Sequence, residues 1–114
     1  MRALTIRQPH AEAIMRGRER IEHRSGATNV RGRVYIYASL TRLTPAEEAD
    51  LLTQYRIKDI SSDELPRGVI VGTVELYNCT DEGGGFNWHL RDPERASELL
   101  VPKNKPLGIW FNPF

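Results

Sequence analysis

The densest group of chemically active side chains lies between residues 16 and 24, where four arginines, one histidine and two glutamates occupy nine positions. Arginine binds phosphate and carboxylate groups through paired hydrogen bonds, and a glutamate beside it can orient the guanidinium group or act as an acid or base. A solvated loop whose glutamates pair with its arginines would have the same composition. The spacing alone therefore leaves an anion-binding corner and an exposed charged loop as open alternatives.

The flanking elements are expected to hold this segment at a helix-to-strand corner. Alternating apolar residues predict a first strand over residues 3–7. Apolar side chains at helical spacing predict a short helix over residues 10–16, which Gly17 would cap. A second strand is predicted over residues 21–24, so that the charged side chains span the end of the helix and the start of the strand.

The segment 33–39 predicts a third strand with two different faces. One face is apolar, and the other carries Tyr35 and Tyr37 next to Arg33. Tyrosines beside an arginine can stack on nucleobases, but aromatic pairs across neighbouring strands also stabilise ordinary sheets. Both interpretations of the tyrosine face stay open at this point.

A second helix is predicted to begin after Thr44, because Thr44 and Glu47 can form a capping box around a proline in the first turn. Its buried stripe is expected at Ala46, Ala49, Leu52 and Tyr55, with Glu47, Glu48 and Asp50 facing solvent.

The second half of the chain predicts mainly strands. A long strand begins at Gly68, and Gly72 within it suggests a bulge or a close approach of another chain segment. Glu75 lies on the polar face of this strand, as an ion-pair partner or as the acid or base of a pocket. A further strand is predicted over residues 86–91, a short helix over residues 92–100 and a last strand near residues 109–111.

Composition narrows the class of protein. With 114 residues, 39% of them hydrophobic and 27% charged, the chain is expected to form one globular domain over residues 1–114. No apolar run is long enough to span a bilayer, and the start of the chain lacks a secretory signal. The single cysteine favours a reducing compartment, so the predicted location is cytoplasmic. No metal-ligand spacing or phosphate-binding loop is visible, so neither a metal nor a cofactor is expected.

The charges are unevenly distributed along the sequence although the net charge is only +1. Residues 1–33 contain eight arginines and three glutamates, whereas residues 34–100 contain six basic and twelve acidic residues. If the fold keeps the first group of arginines together, a nearly neutral protein will present one positive surface.

Two motifs near the start of the chain carry a family resemblance. Residues 3–11, ALTIRQPHA, and Gly17, Glu22 and Arg24 in GRERIEHR match SLxIRQPWA followed by GxKxxExR. Further matches follow in order at Arg31–Arg33, Gly68–Leu76, Trp88, Gly108 and Trp110. The chain therefore resembles an ASCH domain (activating signal cointegrator homology) of the PUA-like superfamily, and it is most similar to the domain of eukaryotic transcription coactivators.

This resemblance implies an α+β fold, a PUA-like small β-barrel of about five or six strands with flanking short helices. Such domains bind RNA, DNA or modified nucleotides, and some small bacterial members hydrolyse acylated pyrimidine nucleosides or cleave RNA. Two departures from the motifs matter: His10 replaces a tryptophan and Glu19 replaces a lysine. Loss of the lysine argues against an enzyme that depends on it.

The resulting hypothesis is a nucleic-acid-binding module for DNA or RNA, or for a nucleotide, with a basic cleft around the GxxxxExR corner. Its candidate binding residues are Gln8, His10, Arg16, Arg18, Arg20, Glu22, Arg24, Arg31, Tyr35 and Tyr37. The alternative is a small hydrolase of an acylated pyrimidine nucleoside or of RNA, with Glu22 and Glu75 as catalytic groups. A protein-interaction domain is the third option.

Overall fold

The computed structural model of the protein describes residues 1–114. It contains six strands, two α-helices and one short 3₁₀ turn at Ser62–Glu64. In chain order the elements are β1 (Ala3–Ile6), α1 (His10–Met15), β2 (Ile21–Arg24), β3 (Gly32–Ala38), α2 (Pro45–Gln54), β4 (Val69–Asp81), β5 (Phe86–Leu100) and β6 (Trp110–Phe111).

All six strands belong to one sheet with the order β2-β5-β4-β3-β1-β6. The β1–β3 pair is parallel and every other pair is antiparallel. The sheet curls into a half-barrel, and the two helices flank it. The predicted α+β small barrel of five or six strands with short helices is therefore confirmed.

The main core fills the concave side of this sheet. Side chains from β1, β3, β4 and β5 meet Ala11, Ile14 and Met15 of α1 there. A smaller cluster lies apart from it and contains Ala3, Tyr37, Ile70 and Phe111. The short helix α1 is held by this packing, since a helix of six residues has little stability of its own.

The predicted helix over residues 92–100 is wrong, because β5 continues as a strand to Leu100. Its second half pairs with β4, where Gly72 lies opposite Arg95 and Ile70 lies opposite Leu100. Pro93 falls where the register of the ladder shifts, and a missing backbone donor costs little at such a bulge. Strand pairing has overridden the local helix-start signal of the Asp-Pro-Glu sequence.

Gly72 makes the close approach that its position in the strand suggested. A Cβ atom at this position would overlap the Glu94 carbonyl oxygen and the Met15 sulfur atom. The absence of a side chain lets β4, β5 and α1 meet at one point, and this contact supports the end of the helix that leads into residues 16–24.

Helix α2 begins as predicted but buries a different side chain. The Thr44–Glu47 capping box is present. Ala46 and Ala49 are exposed, however, whereas the carboxylate of Glu48 is almost fully buried. The predicted stripe is therefore wrong at Ala46 and Ala49, whereas Leu52 and Tyr55 do pack in a small apolar cluster with Ala13 and Ile57. Ion pairs at Glu48 provide the second anchor of α2.

Glu48 is the centre of that anchor. Arg42 donates hydrogen bonds to both carboxylate oxygens, at 2.5 and 3.2 Å, and Arg67 lies 3.3 Å away. The Ser62 hydroxyl donates a further hydrogen bond at 2.7 Å. The Arg42 hydrogen bonds, against the cost of burial, hold the pKa of Glu48 at about 2. This network ties α2 to the loop that precedes β4.

Candidate functional site

The charged segment 16–24 does not form one continuous arginine surface. Arg16 is paired with Glu12 at 2.7 Å and with Asp59 at 2.6 and 3.0 Å. Arg18 donates to the carbonyl oxygens of Tyr55 and Arg56, at 3.0 and 2.5 Å. Both guanidinium groups therefore fasten the corner to the segment after α2.

Arg20 and Arg24 point to different places. Arg20 is exposed, and its only internal hydrogen bond is a long one of 3.3 Å to the Gly17 carbonyl oxygen. Arg24 is mostly buried, donates to the Thr5 carbonyl oxygen at 2.9 Å and contacts Glu22 at 3.3 Å. Of these two arginines, Arg24 is the one that lines a cavity together with His10 and Glu22.

That cavity, the central cleft, has a volume of about 490 Å³ and opens between the end of β1, the start of α1 and β2. Its polar lining consists of Thr5, Arg7, His10, Glu22, His23, Arg24, Ser39 and Thr41. Glu22 is the single carboxylate among these residues. Its lining is therefore more basic than acidic, but four of the five arginines that the sequence proposed for binding, Arg16, Arg18, Arg20 and Arg31, lie outside it.

Glu22 is a half-buried carboxylate within this basic lining. Burial raises its pKa, while the charges of Arg24 and His10 act in the opposite direction. The carboxyl group therefore keeps its proton to a higher pH than an exposed glutamate does. One of its oxygens contacts Arg24, and the other has no partner inside the protein.

His10 is connected to Glu19 through Tyr55. The His10 Nδ1 atom lies 2.7 Å from the Tyr55 hydroxyl oxygen, and that hydroxyl donates to the Glu19 carboxylate. Burial, together with the Glu19 carboxylate, raises the pKa of Tyr55 well above its usual range. The tyrosine hydroxyl therefore keeps its proton and donates it to Glu19.

A second cavity, the arginine pocket, has a volume of about 590 Å³ and lies at the start of β3. It is lined by Arg2, Ala27, Thr28, Asn29, Val30, Arg31, Arg33, Val34 and Trp110, with no carboxylate among them. Arg31 is held there by hydrogen bonds from its Nη1 atom to the carbonyl oxygens of Thr28 and Val30, at 2.9 and 2.8 Å. Its remaining donors are free.

The two cavities are linked by stacked aromatic rings. The ring of Trp88, buried beneath the sheet, stacks on Trp110 at 5.7 Å between centroids and 11° between planes. The Arg24 guanidinium group lies over the Trp88 ring at 5.6 Å. The stack therefore runs from Arg24 in the central cleft to Trp110 in the arginine pocket.

The other predicted binding residues lie outside both cavities. Gln8 is fully buried, where its amide donates to the Pro66 carbonyl oxygen and accepts from the Glu12 backbone, each at 2.9 Å. Tyr37 packs on Phe111, and Tyr35 packs on Phe114. Each tyrosine ring thus has an aromatic partner from the end of the chain, Phe111 in β6 or Phe114 beyond it.

Glu22 and Glu75 are not brought together. Glu75 lies on the face of β4 away from the core and pairs with Arg91 at 3.0 and 3.3 Å. The Arg91 hydrogen bonds lower its pKa. Glu22 lies opposite the buried Trp88 in the sheet and so faces the concave side. The two carboxylates occupy opposite faces of the sheet.

Sequence reasoning missed Arg2, Arg7 and Thr5, which line the two cavities, and Tyr55, which contacts His10 from outside the cleft. Arg7 directly precedes the Gln8-Pro9 turn, so its place at the end of β1 was a usable signal. The contact of Tyr55 with His10 spans 45 residues of sequence, and no local pattern announces it.

Comparison with known proteins agrees with this architecture. A sequence model of the ASCH domain matches residues 4–101. The chain belongs to the ASCH domain family. This ASCH domain is 35% identical over 83 residues to activating signal cointegrator 1 of Homo sapiens, and 36% identical over 83 residues to the protein of the same name in Mus musculus. Each match covers 69% of this chain and 14% of the relative, so the chain spans about one seventh of the length of these proteins.

Two further properties of this ASCH domain concern groups it lacks. Its histidine, cysteine, aspartate and glutamate side chains form no group of three or more that is placed to hold a metal ion. Neither of its helices has the length and apolar character that crossing a lipid bilayer requires.

Proposed function

We propose that this ASCH domain binds nucleic acid, DNA or RNA, through the central cleft and the arginine pocket. One observation carries the proposal: five arginines line the two cavities and only one carboxylate accompanies them. The whole chain has 16 basic and 15 acidic residues, so this imbalance is local. A polyanion is the partner that such a surface favours.

The arginines differ in how free they are to contact phosphate. Arg2 and Arg7 are exposed and donate no side-chain hydrogen bond inside the protein. Arg31 is held by two carbonyl oxygens but keeps free donors, so it is oriented before any ligand arrives. We assign phosphate contacts to these three. Arg16 serves the fold, because its guanidinium group is bonded to both Glu12 and Asp59. Arg18 is held by two carbonyl oxygens as Arg31 is, but it lies outside both cavities.

The test is binding of a labelled short oligonucleotide, followed by fluorescence anisotropy at increasing salt concentration. Three neutralised phosphates predict a slope of log K against log salt of roughly −2 to −3, depending on whether the ligand is single- or double-stranded. Replacing Arg2, Arg7 and Arg31 together by alanine should weaken binding and flatten that slope.

Two control variants make the result specific. Lys58→Ala removes one exposed positive charge outside both cavities and should leave affinity nearly unchanged. Arg20→Ala is the second control, because it removes the exposed arginine of the charged segment 16–24. Affinity that does not depend on salt, or that falls equally in the Lys58 variant, would overturn the proposal.

Two finer assignments remain predictions. A cytoplasmic location rests on the single free cysteine, Cys79. A protein partner is the competing function, since the relatives carry the name of a cointegrator and this chain matches only a small part of them.

A further inference from the structure

The hydrogen-bond chain from Glu19 through Tyr55 to His10 determines which nitrogen of His10 carries a proton. The Tyr55 hydroxyl has one hydrogen atom, and it is donated to the Glu19 carboxylate. The hydroxyl oxygen must therefore accept a hydrogen from the His10 Nδ1 atom, 2.7 Å away. Neutral His10 then has an unprotonated Nε2 atom.

This Nε2 atom is available to a ligand. It makes no hydrogen bond inside the protein, and His10 lines the central cleft while Tyr55 does not. Tyr55 is buried and donates its hydroxyl hydrogen to Glu19, so the His10 ring cannot easily change to the tautomer with its proton on Nε2. His10 thus offers the cleft a hydrogen-bond acceptor in a fixed place.

A second acceptor lies beside it. Glu22 uses one carboxylate oxygen on Arg24 and leaves the other without a partner. His10 and Glu22 line the same cleft. The Thr5 hydroxyl in its wall is buried and has no partner in the protein. The cleft therefore holds two acceptors, and a ligand amino group is suited to them.

We infer that the central cleft selects nucleobases with an exocyclic amino group, with His10 Nε2 and Glu22 as its two acceptors. The inference rests on the proposed nucleic-acid function and specifies the ligand of that site. An amino group has two hydrogens to donate, as in adenine, cytosine and guanine. Thymine and uracil offer carbonyl oxygens at the same position, and these would face acceptors and leave polar groups unpaired.

Single-stranded homopolymers test the inference at constant salt. Labelled oligo(dA) and oligo(dC) should bind about tenfold more tightly than oligo(dT), which corresponds to one well-made hydrogen bond with a charged group. His10→Ala should reduce this ratio towards one while affinity for oligo(dT) stays the same. Lys58→Ala is the matched control and should keep the ratio.

The positioning roles of Tyr55 and Glu19 need a readout of their own. The ¹⁵N chemical shifts of the His10 ring in the free protein should show a proton on Nδ1. Tyr55→Phe should shift that population towards Nε2–H and reduce the base preference, without changing the salt slope. If the variant unfolds, the ring tautomer of the natural protein still tests the argument.

The outcomes separate the two proposals. No binding to any oligonucleotide would overturn both of them. Salt-dependent binding with equal affinity for oligo(dT) and oligo(dC) would overturn the base preference alone. A proton found on Nε2 in the natural protein would also overturn it, because His10 would then be a donor in the cleft.

Discussion

His10 and Glu19, which stand where the family motifs have a tryptophan and a lysine, are the two ends of one hydrogen-bond chain. Each departure makes physical sense only with the other. A tryptophan at position 10 carries no second ring nitrogen for the cleft, and a lysine at position 19 cannot accept the Tyr55 proton. At the scale of single residues, the acceptor proposed at His10 Nε2 therefore depends on both side chains.

Glu22→Gln is expected to change stability in a pH-dependent way. Burial raises the pKa of Glu22 in the folded state, so folding favours its protonated form. That contribution to stability is complete below the unfolded pKa of about 4.5 and is lost as pH rises through the folded value. Glutamine never ionises and can still accept from Arg24. The variant should therefore melt higher than the natural protein near neutral pH, with the difference vanishing in acid.

Thermal melts across this pH range, followed by circular dichroism, check the expectation. Glu98→Gln is a suitable control, because Glu98 is exposed and makes no side-chain hydrogen bond. A Glu22→Gln variant that melts lower at neutral pH would mean that the Glu22–Arg24 pair stabilises the fold by more than its burial costs.

At the scale of secondary-structure elements, α2 depends on one buried carboxylate. Glu48→Gln should lower the free energy of unfolding at neutral pH by about 3 kcal/mol, because Arg42 and Arg67 lose the charge they pair with. The pKa of Glu48 is depressed in the folded state, so its stabilising effect is present above the unfolded value and is lost as pH falls from 4.5 to about 2.

Urea unfolding at several pH values measures this effect. Asp50→Asn provides the comparison on the same helix, since Asp50 is exposed and unpaired, and it should cost no more than about 0.5 kcal/mol. Equal losses in the two variants would show that the ion pairs at Glu48 contribute nothing beyond surface charge.

At the scale of the whole molecule, the fold separates arginines that are close together in the sequence. Some arginines of the first 33 residues are used to fasten segments together, and the others line the two cavities. The family's hydrolytic members suggest a different use of such a cleft, but here Glu22 and Glu75 lie on opposite faces of the sheet. Glu19 is also bonded to Tyr55.

We therefore expect no turnover of N4-acylated cytidine and no cleavage of structured RNA by the natural protein. Product formation would be followed by chromatography against a reaction without protein. Turnover that disappears in Glu22→Gln, while oligonucleotide binding survives, would establish a hydrolase. Turnover that disappears in Glu75→Gln would require the two faces of the sheet to act together, which this fold does not allow.

The sequence predicted the fold better than the site. Alternation in β1 and β3, the Thr44 capping box and the family motifs are local or ordered patterns, and they led to the correct class and to nearly all elements. The helix predicted over residues 92–100 failed because the pairing of β5 with β4 is decided by residues about 25 positions away. The contacts of Arg16 and Arg18 could not be read from the sequence for the same reason, since their partners lie beyond residue 54. Composition shows that arginines are present, but it does not show which of them are hydrogen-bonded to other groups of the protein.

The two tryptophans of the chain are both in the stack that joins the central cleft to the arginine pocket. The Arg24 guanidinium group lies over the Trp88 ring, so a change at either end of the stack alters the surroundings of an indole ring. The chain contains no other indole, so its tryptophan fluorescence originates entirely from this stack. The domain therefore carries an intrinsic optical label at its own candidate site, and occupation of either cavity can be followed without attaching a dye.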